Sequence, residues 1–195
     1  LSALAPPEAV RACAAVLLLS PQIPMLFMGE EWAATQPFLF FCDFDTGLAE
    51  AVREGRRAEF ARFPAFRDPE RRARIPDPLA EATVAASTLR WGDREVAPHA
   101  EALAWHRRIL ALRHAEIVPR LPRIRRGGRA RVIGDGAVHV VWSVDAGGAL
   151  ALDANLSPHP VAGFAPPRGR VLWQEGAEAT GRLAPWSVRW TLDDD

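Results

Sequence analysis

Hydrophobic and polar positions along this chain change pattern three times. Residues 7 to 19 end in Ala14-Ala15-Val16-Leu17-Leu18-Leu19, apolar almost all round, which predicts a helix packed between a sheet and other elements. Pro6 and Pro7 followed by Glu8 suit its first turn, because proline is tolerated there and an acidic side chain complements the dipole. Ser20-Pro21 ends it. The next run, Pro24-Met25-Leu26-Phe27-Met28, is apolar without period-two alternation and predicts a strand covered on both faces, as in a parallel sheet. Ligands gather at the carboxyl ends of such strands, where Gly29, Glu30, Glu31 and Trp32 stand.

The middle of the chain is less regular. The stretch AATQPFLFFCDFDTG carries Phe38, Phe40, Phe41 and Phe44, and a loop that aromatic is either packed beneath something or lines a cleft. Asp45-Thr46 caps a helix from Leu48 to about Phe63, with Leu48, Val52 and Phe63 as apolar positions and REGRRAE as its solvated face. Residues 64–97, rich in proline, read as a surface excursion with a short helix around Ala80 to Ser87. Pro98 opens a helix to about His114, with Ala102, Trp105, Ile109 and Leu112 at three- and four-residue spacing. His99, His106 and His114 lie two turns apart, too far for one metal ion, and read as ordinary helix histidines.

From residue 129 the period becomes two. AVHVVWSV places Val138, Val140, Trp142 and Val144 on one face, ALALDANL does the same with Leu150, Leu152 and Leu156, and RVLWQ and SVRWTL read as further strands. Turn residues at 134–136 and 145–148 separate the early strands by hairpin-length loops. The expectation is an antiparallel sandwich of five to seven strands, with Trp142, Trp173, Trp186 and Trp190, and also Trp91, in cores. RLPRIRRGGR, residues 120–129, reads as a basic linker or edge strand at a boundary between two domains near residues 115–128.

Composition narrows the partners. The 24 basic residues balance 24 acidic ones, so no net field recruits nucleic acid or an anionic membrane, and a neutral partner is expected. All the basic residues are arginine and tyrosine is absent, which reads as codon bias of a GC-rich genome. Cys13 and Cys42 do not make a disulfide framework, so a reducing cytoplasmic setting is expected. The most apolar window, residues 12–28, is broken by Ser20-Pro21 and has neither basic flank nor cleavage site. A start at Leu1 reads as a start inside a longer encoded protein.

The chemistry is sparse. No Gly-rich phosphate loop, CxxC, HExxH or GxSxG occurs. Glu30 and Glu31 are the paired carboxylates in a favoured position. On an extended chain they point to opposite sides, so at most one faces a cleft and the other is expected to pair with an arginine.

LLLSPQIPMLFMGEEWAATQPFLFFCDF resembles the last barrel strand of the α-amylase family, glycoside hydrolase family 13. Within that family, LAEAVREGRRAEF, IPDPLAEATVAASTLRW and LAPWSVRWTL, in that order, resemble the subfamily that releases trehalose from maltooligosyl trehalose. The resemblance implies an α/β plus all-β chain: residues 1–114 as the C-terminal part of a (β/α)8 barrel and 115–195 as an antiparallel β-sandwich domain. It implies no cofactor and no metal, and as partners an α-glucan and the missing N-terminal part of the same barrel, with no nucleic acid or membrane. The family's nucleophile, acid/base and orienting aspartate lie on earlier strands, and none of their motifs occurs here, so no residue inherits a catalytic role. What remains is the wall of a glucan cleft. Trp32 offers a flat face to a sugar ring, Glu30 a hydroxyl acceptor or an ion-pair brace, and Phe40, Phe41 and Asp43 a rim, against the alternative that all five are scaffold. A branching enzyme of the same family and a non-catalytic α-glucan-binding module are the rival functions.

Overall fold

The computed structural model describes residues 4–124, 127–179 and 181–194. They gather into two units, Leu1–Ala33 with Asp93–Asp195, and Ala34–Gly92.

In the first unit, helix α1 (Pro7–Leu19) buries Ala12, Ala15, Leu18 and Leu19 completely. It stops where the sequence says it should. The Ser20 N–H and hydroxyl both return to the Val16 carbonyl, at 3.1 and 2.6 Å, and Pro21 has no N–H with which to continue. Helix α5 (His99–Leu112) buries Trp105 and Ile109, then loosens into a π-helical turn, Arg113–Ile117, and a 3-10 turn, Val118–Arg123. Pro119 and Pro122 remove the donors a longer α-helix would need. The segment expected as a linker or edge strand is therefore helical through Arg123, after which Ile124 forms a single bridge to Val144. Residues 125 and 126 lie outside the described residues.

Among the described residues eight strands follow: β1 (Arg129–Gly134), β2 (Ala137–Ser143), β3 (Ala149–Asn155), β4 (Val161–Ala162), β5 (Arg170–Glu175), β6 (Glu178–Ala179), β7 (Arg182–Leu183) and β8 (Ser187–Asp193). They form an antiparallel sheet in the order β1-β2-β3-β8-β5 and a smaller one, β4-β7-β6. The β1–β2 hairpin turns through Gly136 at φ 67°, a conformation that favours glycine.

Period two sorts the faces of the large sheet. Leu150, Leu152 and Ala154 lie opposite Leu192, Trp190 and Val188 across β3 and β8, and this apolar face shares one core with α1 and α5. Trp142 stacks on Trp190 with ring centroids 5.5 Å apart. Burying each such side chain contributes roughly 1.5–3 kcal/mol, and a one-residue slip of register would turn them all outward. On the opposite face Asp153, Asn155, Ser187, Arg189 and Thr191 are also buried, because the small sheet covers them. Their polar groups are matched, as burial requires. Arg189 pairs with Asp153 at 2.6 Å and with Glu178 of β6, while Asp153 holds His139 Nδ1 at 2.7 Å. Asn155 donates to the carbonyls of His159, Leu183 and Ala184.

The second unit contains α2 (Thr46–Phe60), α3 (Pro69–Ala73) and α4 (Glu81–Ser87). Asp45 caps α2 by accepting from the Leu48 N–H at 3.3 Å. Of α2 only Ala49 is buried; Leu48 and Phe63, expected on an apolar face, are exposed. The local packing instead runs along the chain through Phe60, Phe63 and Phe66. Arg53 Nε donates to both Asp77 oxygens at 2.9 and 3.1 Å, tying α2 to the proline-rich excursion.

Two further sequence expectations fail. Residues 24–28 form no strand: every paired strand among the described residues is antiparallel, and the run is extended without a partner, leaving Ile23 94% and Met25 85% exposed. A parallel strand is held by its neighbours, and none lies beside this one among the described residues. Trp91 is not in a core; it is 57% exposed at the start of a short 3-10 turn with no buried residue. Trp173 and Trp186 are half-buried against the core that Trp142 and Trp190 fill.

Candidate functional site

The expected site begins where α1 ends. Arg113, 6% exposed, reaches back across the chain and donates from Nη1 to the carbonyls of Leu18 and Ser20 at 2.8 and 2.6 Å, and from Nη2 to that of Gln22 at 2.8 Å. A cation over the last carbonyls of a helix satisfies groups that have no partner within it. Burial lowers the Arg113 pKa from its ordinary value, though carbonyl oxygens surround the charge. This clasp fixes the direction in which residues 22–28 leave the helix.

At the far end of that run the backbone turns sharply. Gly29 is buried at φ 90° and Ala33 sits at φ 55°, bracketing a 3-10 turn, Glu30–Trp32. The Glu30 N–H donates to the Phe27 carbonyl at 3.0 Å. Each carboxylate folds back on its own backbone: Glu30 Oε2 accepts from the Phe27 N–H at 2.9 Å, and Glu31 Oε2 from the Gly29 N–H at 3.0 Å. The two glutamates therefore stand on a turn rather than an extended chain, and among the described residues neither forms the expected arginine pair. Glu30 is exposed, and its Oε1 is open to accept from a ligand hydroxyl.

Trp32 is 2% exposed, with the Arg94 guanidinium 5.9 Å from its ring centroid. Its carbonyl accepts from His99 Nδ1 at 2.8 Å, which assigns the proton to that nitrogen because a carbonyl oxygen can only accept. This indole braces the turn against the start of α5. The Glu30 carboxylate is what the turn presents outward.

Asp43, exposed, lies in the second unit on the aromatic loop. That loop is pinned by the Cys42 N–H to the Pro78 carbonyl at 2.9 Å and by the Leu39 N–H to Ser87 Oγ at 3.1 Å. Phe38, Phe40, Phe41 and Phe44 are all at least 39% exposed, and Phe38 and Phe40 line a cleft, which decides between the two sequence readings of the loop. Among the described residues no cluster of three or more His, Cys, Asp or Glu side chains could hold a metal, and no helix is long and apolar enough to cross a membrane.

Sequence reasoning missed Arg113, whose carbonyl partners are 91 to 95 residues away and leave no local signal. It also missed Glu175, 8% exposed, whose Oε1 accepts from Trp105 and Trp173 while Oε2 meets Arg11. A carboxylate closing an apolar strand was the available hint.

Residues 125–190 match the family described as a domain of unknown function (DUF3459). A malto-oligosyltrehalose trehalohydrolase from Deinococcus radiodurans is 44% identical over 104 residues, 53% of this chain and 17% of that protein. The enzyme of the same name from Arthrobacter ramosus is 48% identical over 103 residues, 52% of this chain and 17% of its own length. The chain thus spans about a sixth of the curated relatives it matches. A crystal structure from Salmonella typhimurium, described as an alpha amylase, superposes with a TM-score of 0.88 at 37% identity, covering 98% of this chain and 32% of that one. Trehalulose synthase from Pseudomonas mesoacidophila, at 18% identity and a TM-score of 0.55, covers 95% of this chain and 38% of its own, and shares the fold alone. The fold is that of the C-terminal part of a (β/α)8 barrel followed by an antiparallel β-sandwich domain. In sequence the chain is similar to malto-oligosyltrehalose trehalohydrolases.

Proposed function

We propose that this chain is the C-terminal portion of a cytoplasmic malto-oligosyltrehalose trehalohydrolase, an enzyme that hydrolyses the α-1,4 bond next to the trehalose end of maltooligosyl trehalose. The observation that carries this is the 44% and 48% identity to enzymes of that name. Residues 1–114 would complete a catalytic barrel and 115–195 form its C-terminal domain. The exposed apolar run at residues 23–28 supports the barrel reading, since Ile23 and Met25 are side chains that the layers packed on a parallel sheet would cover.

The reaction needs two carboxylates about 5 Å apart. One attacks the anomeric carbon as the other protonates the departing trehalose oxygen; water then releases the shortened glucan with retention. These groups would come from upstream strands. The chain's own contribution is to bind and to position. In the first unit Glu30 accepts from a sugar hydroxyl through Oε1 and Trp32 holds the Glu30 turn; in the second unit exposed Asp43, on the aromatic loop, is taken by itself as an acceptor for an α-glucan. The chain by itself has no hydrolase activity. Reading the coding DNA upstream of Leu1 tests the assignment: an in-frame His-Asp-Gln stretch preceded by strands bearing two further carboxylates is expected. An unrelated upstream domain would instead favour a glucan-binding module.

A further inference from the structure

The second unit holds a cleft of about 720 Å3, within the ~300–1,000 Å3 typical of small-molecule sites. Phe40, Phe60 and Phe66 form much of its apolar wall, and Arg56, Arg71 and Arg74 supply its polar groups. Phe60 meets Phe66 edge-on at 5.1 Å. The Arg56 guanidinium lies 4.5 Å from the Phe40 centroid and 4.8 Å from that of Phe60, so two rings hold it in place.

Among the described residues no carboxylate lines this cleft. Asp77, close by along the chain, is occupied by Arg53, and Glu59 sits 3.6 Å from Arg56 on the helix surface. Arg71 and Arg74 are three residues apart, on α3 and just beyond its end, so they share a side. Among the described residues neither forms an ion pair. A guanidinium's planar fork matches phosphate or carboxylate oxygens, whereas a neutral sugar offers no charge for either arginine to pair with.

We infer that this cleft binds a small organic anion, a phosphate or carboxylate carried on a ring, with the ring against Phe60 and Phe66 and the anion on Arg71 and Arg74. The site is independent of the glucan chemistry proposed above.

Calorimetric titration with phenyl phosphate, benzoate, inorganic phosphate and maltose tests it. Phenyl phosphate is expected to bind at least about tenfold more tightly than inorganic phosphate, because ring burial adds to charge pairing. Benzoate binding would extend the class to carboxylates; its absence would restrict it to phosphates. Arg71→Gln and Arg74→Gln, at exposed positions that should leave the circular dichroism spectrum intact, are each expected to weaken phenyl phosphate by about tenfold. Phe60→Leu should weaken phenyl phosphate and leave inorganic phosphate unchanged. Absence of saturable phenyl phosphate binding below about 10 mM, affinity equal to that of inorganic phosphate, insensitivity to the arginine changes, or displacement by maltose would overturn the inference.

Discussion

The indole N–H of Trp105, on α5, donates to Oε1 of Glu175, at the end of β5, across 2.7 Å. The same oxygen accepts from Trp173 at 3.0 Å, the Trp105 and Trp173 rings meet edge-on at 5.8 Å, and Arg11 of α1 reaches Oε2 at 2.8 Å. One carboxylate thus ties two helices to the edge of the large sheet.

Removing it leaves a half-buried and a buried indole N–H without acceptors. Glu175→Ala is expected to destabilise the protein by ~2–4 kcal/mol in urea unfolding, mostly from unsatisfied donors. Glu175→Gln keeps an acceptor oxygen and gives up chiefly the pair with half-exposed Arg11, so it should cost markedly less. Equal losses for the two variants would assign the stabilisation to charge rather than to the indole hydrogen bonds.

Arg113 makes a parallel prediction about the candidate site. Arg113→Ala strands the carbonyls of Leu18, Ser20 and Gln22 and should cost ~3 kcal/mol. Arg113→Lys retains the charge without the planar fork and should recover only part of that. Hydrogen exchange localises the effect: faster exchange is expected from Leu18 through Phe27, with the β3–β8 amides unchanged.

The pH dependence of the second unit follows from Asp77. Its pKa is held below the ordinary aspartate value first by the Leu79 N–H, with hydrogen bonding and charge from Arg53 adding to the shift. A folded pKa below the unfolded one contributes stability that is present above the unfolded value and lost as pH falls through the folded value. The loss therefore falls on the acid side of the ordinary aspartate pKa. Asp77→Asn should flatten that limb of the stability curve, and NMR titration of the Asp77 side chain should place its midpoint below that of a model peptide.

At the sandwich interface, Arg189 is 1% exposed and its charge is met by Asp153 and Glu178. Asp153→Ala leaves that guanidinium partly uncompensated and deprives His139 of its partner. A loss of ~3–5 kcal/mol is expected by urea unfolding. The double variant Asp153→Ala with Arg189→Met should recover part of it, because the buried charge has gone.

The strands were legible because alternation is a local signal: Leu150-x-Leu152 and Val188-x-Trp190 declare which face meets a core. Helices α1 and α5 were legible for the same reason, with Ser20-Pro21 and Pro98 marking ends. What escaped the sequence depends on residues far apart. Arg113 finds its carbonyls more than 90 positions upstream, and Glu175 finds Trp105 70 positions away. Residues 24–28 have the pattern of a buried strand, but pattern alone cannot provide neighbours. Glu30 and Glu31 were read as strand-end carboxylates facing opposite ways; the left-handed Gly29 instead opens a turn that folds both onto backbone N–H groups. For Trp32 the sequence left sugar platform and scaffold both open, and what buries the ring, its place against His99 and Arg94, is set by residues more than 60 positions away.

The most direct test is to incubate the protein encoded by the full reading frame that holds this chain with maltooligosyl trehalose, and to identify the products by chromatography. Release of free trehalose with a correspondingly shortened maltooligosaccharide is the expected result. Formation of branched glucan, or no cleavage by a folded protein that carries the upstream carboxylates, would contradict the assignment.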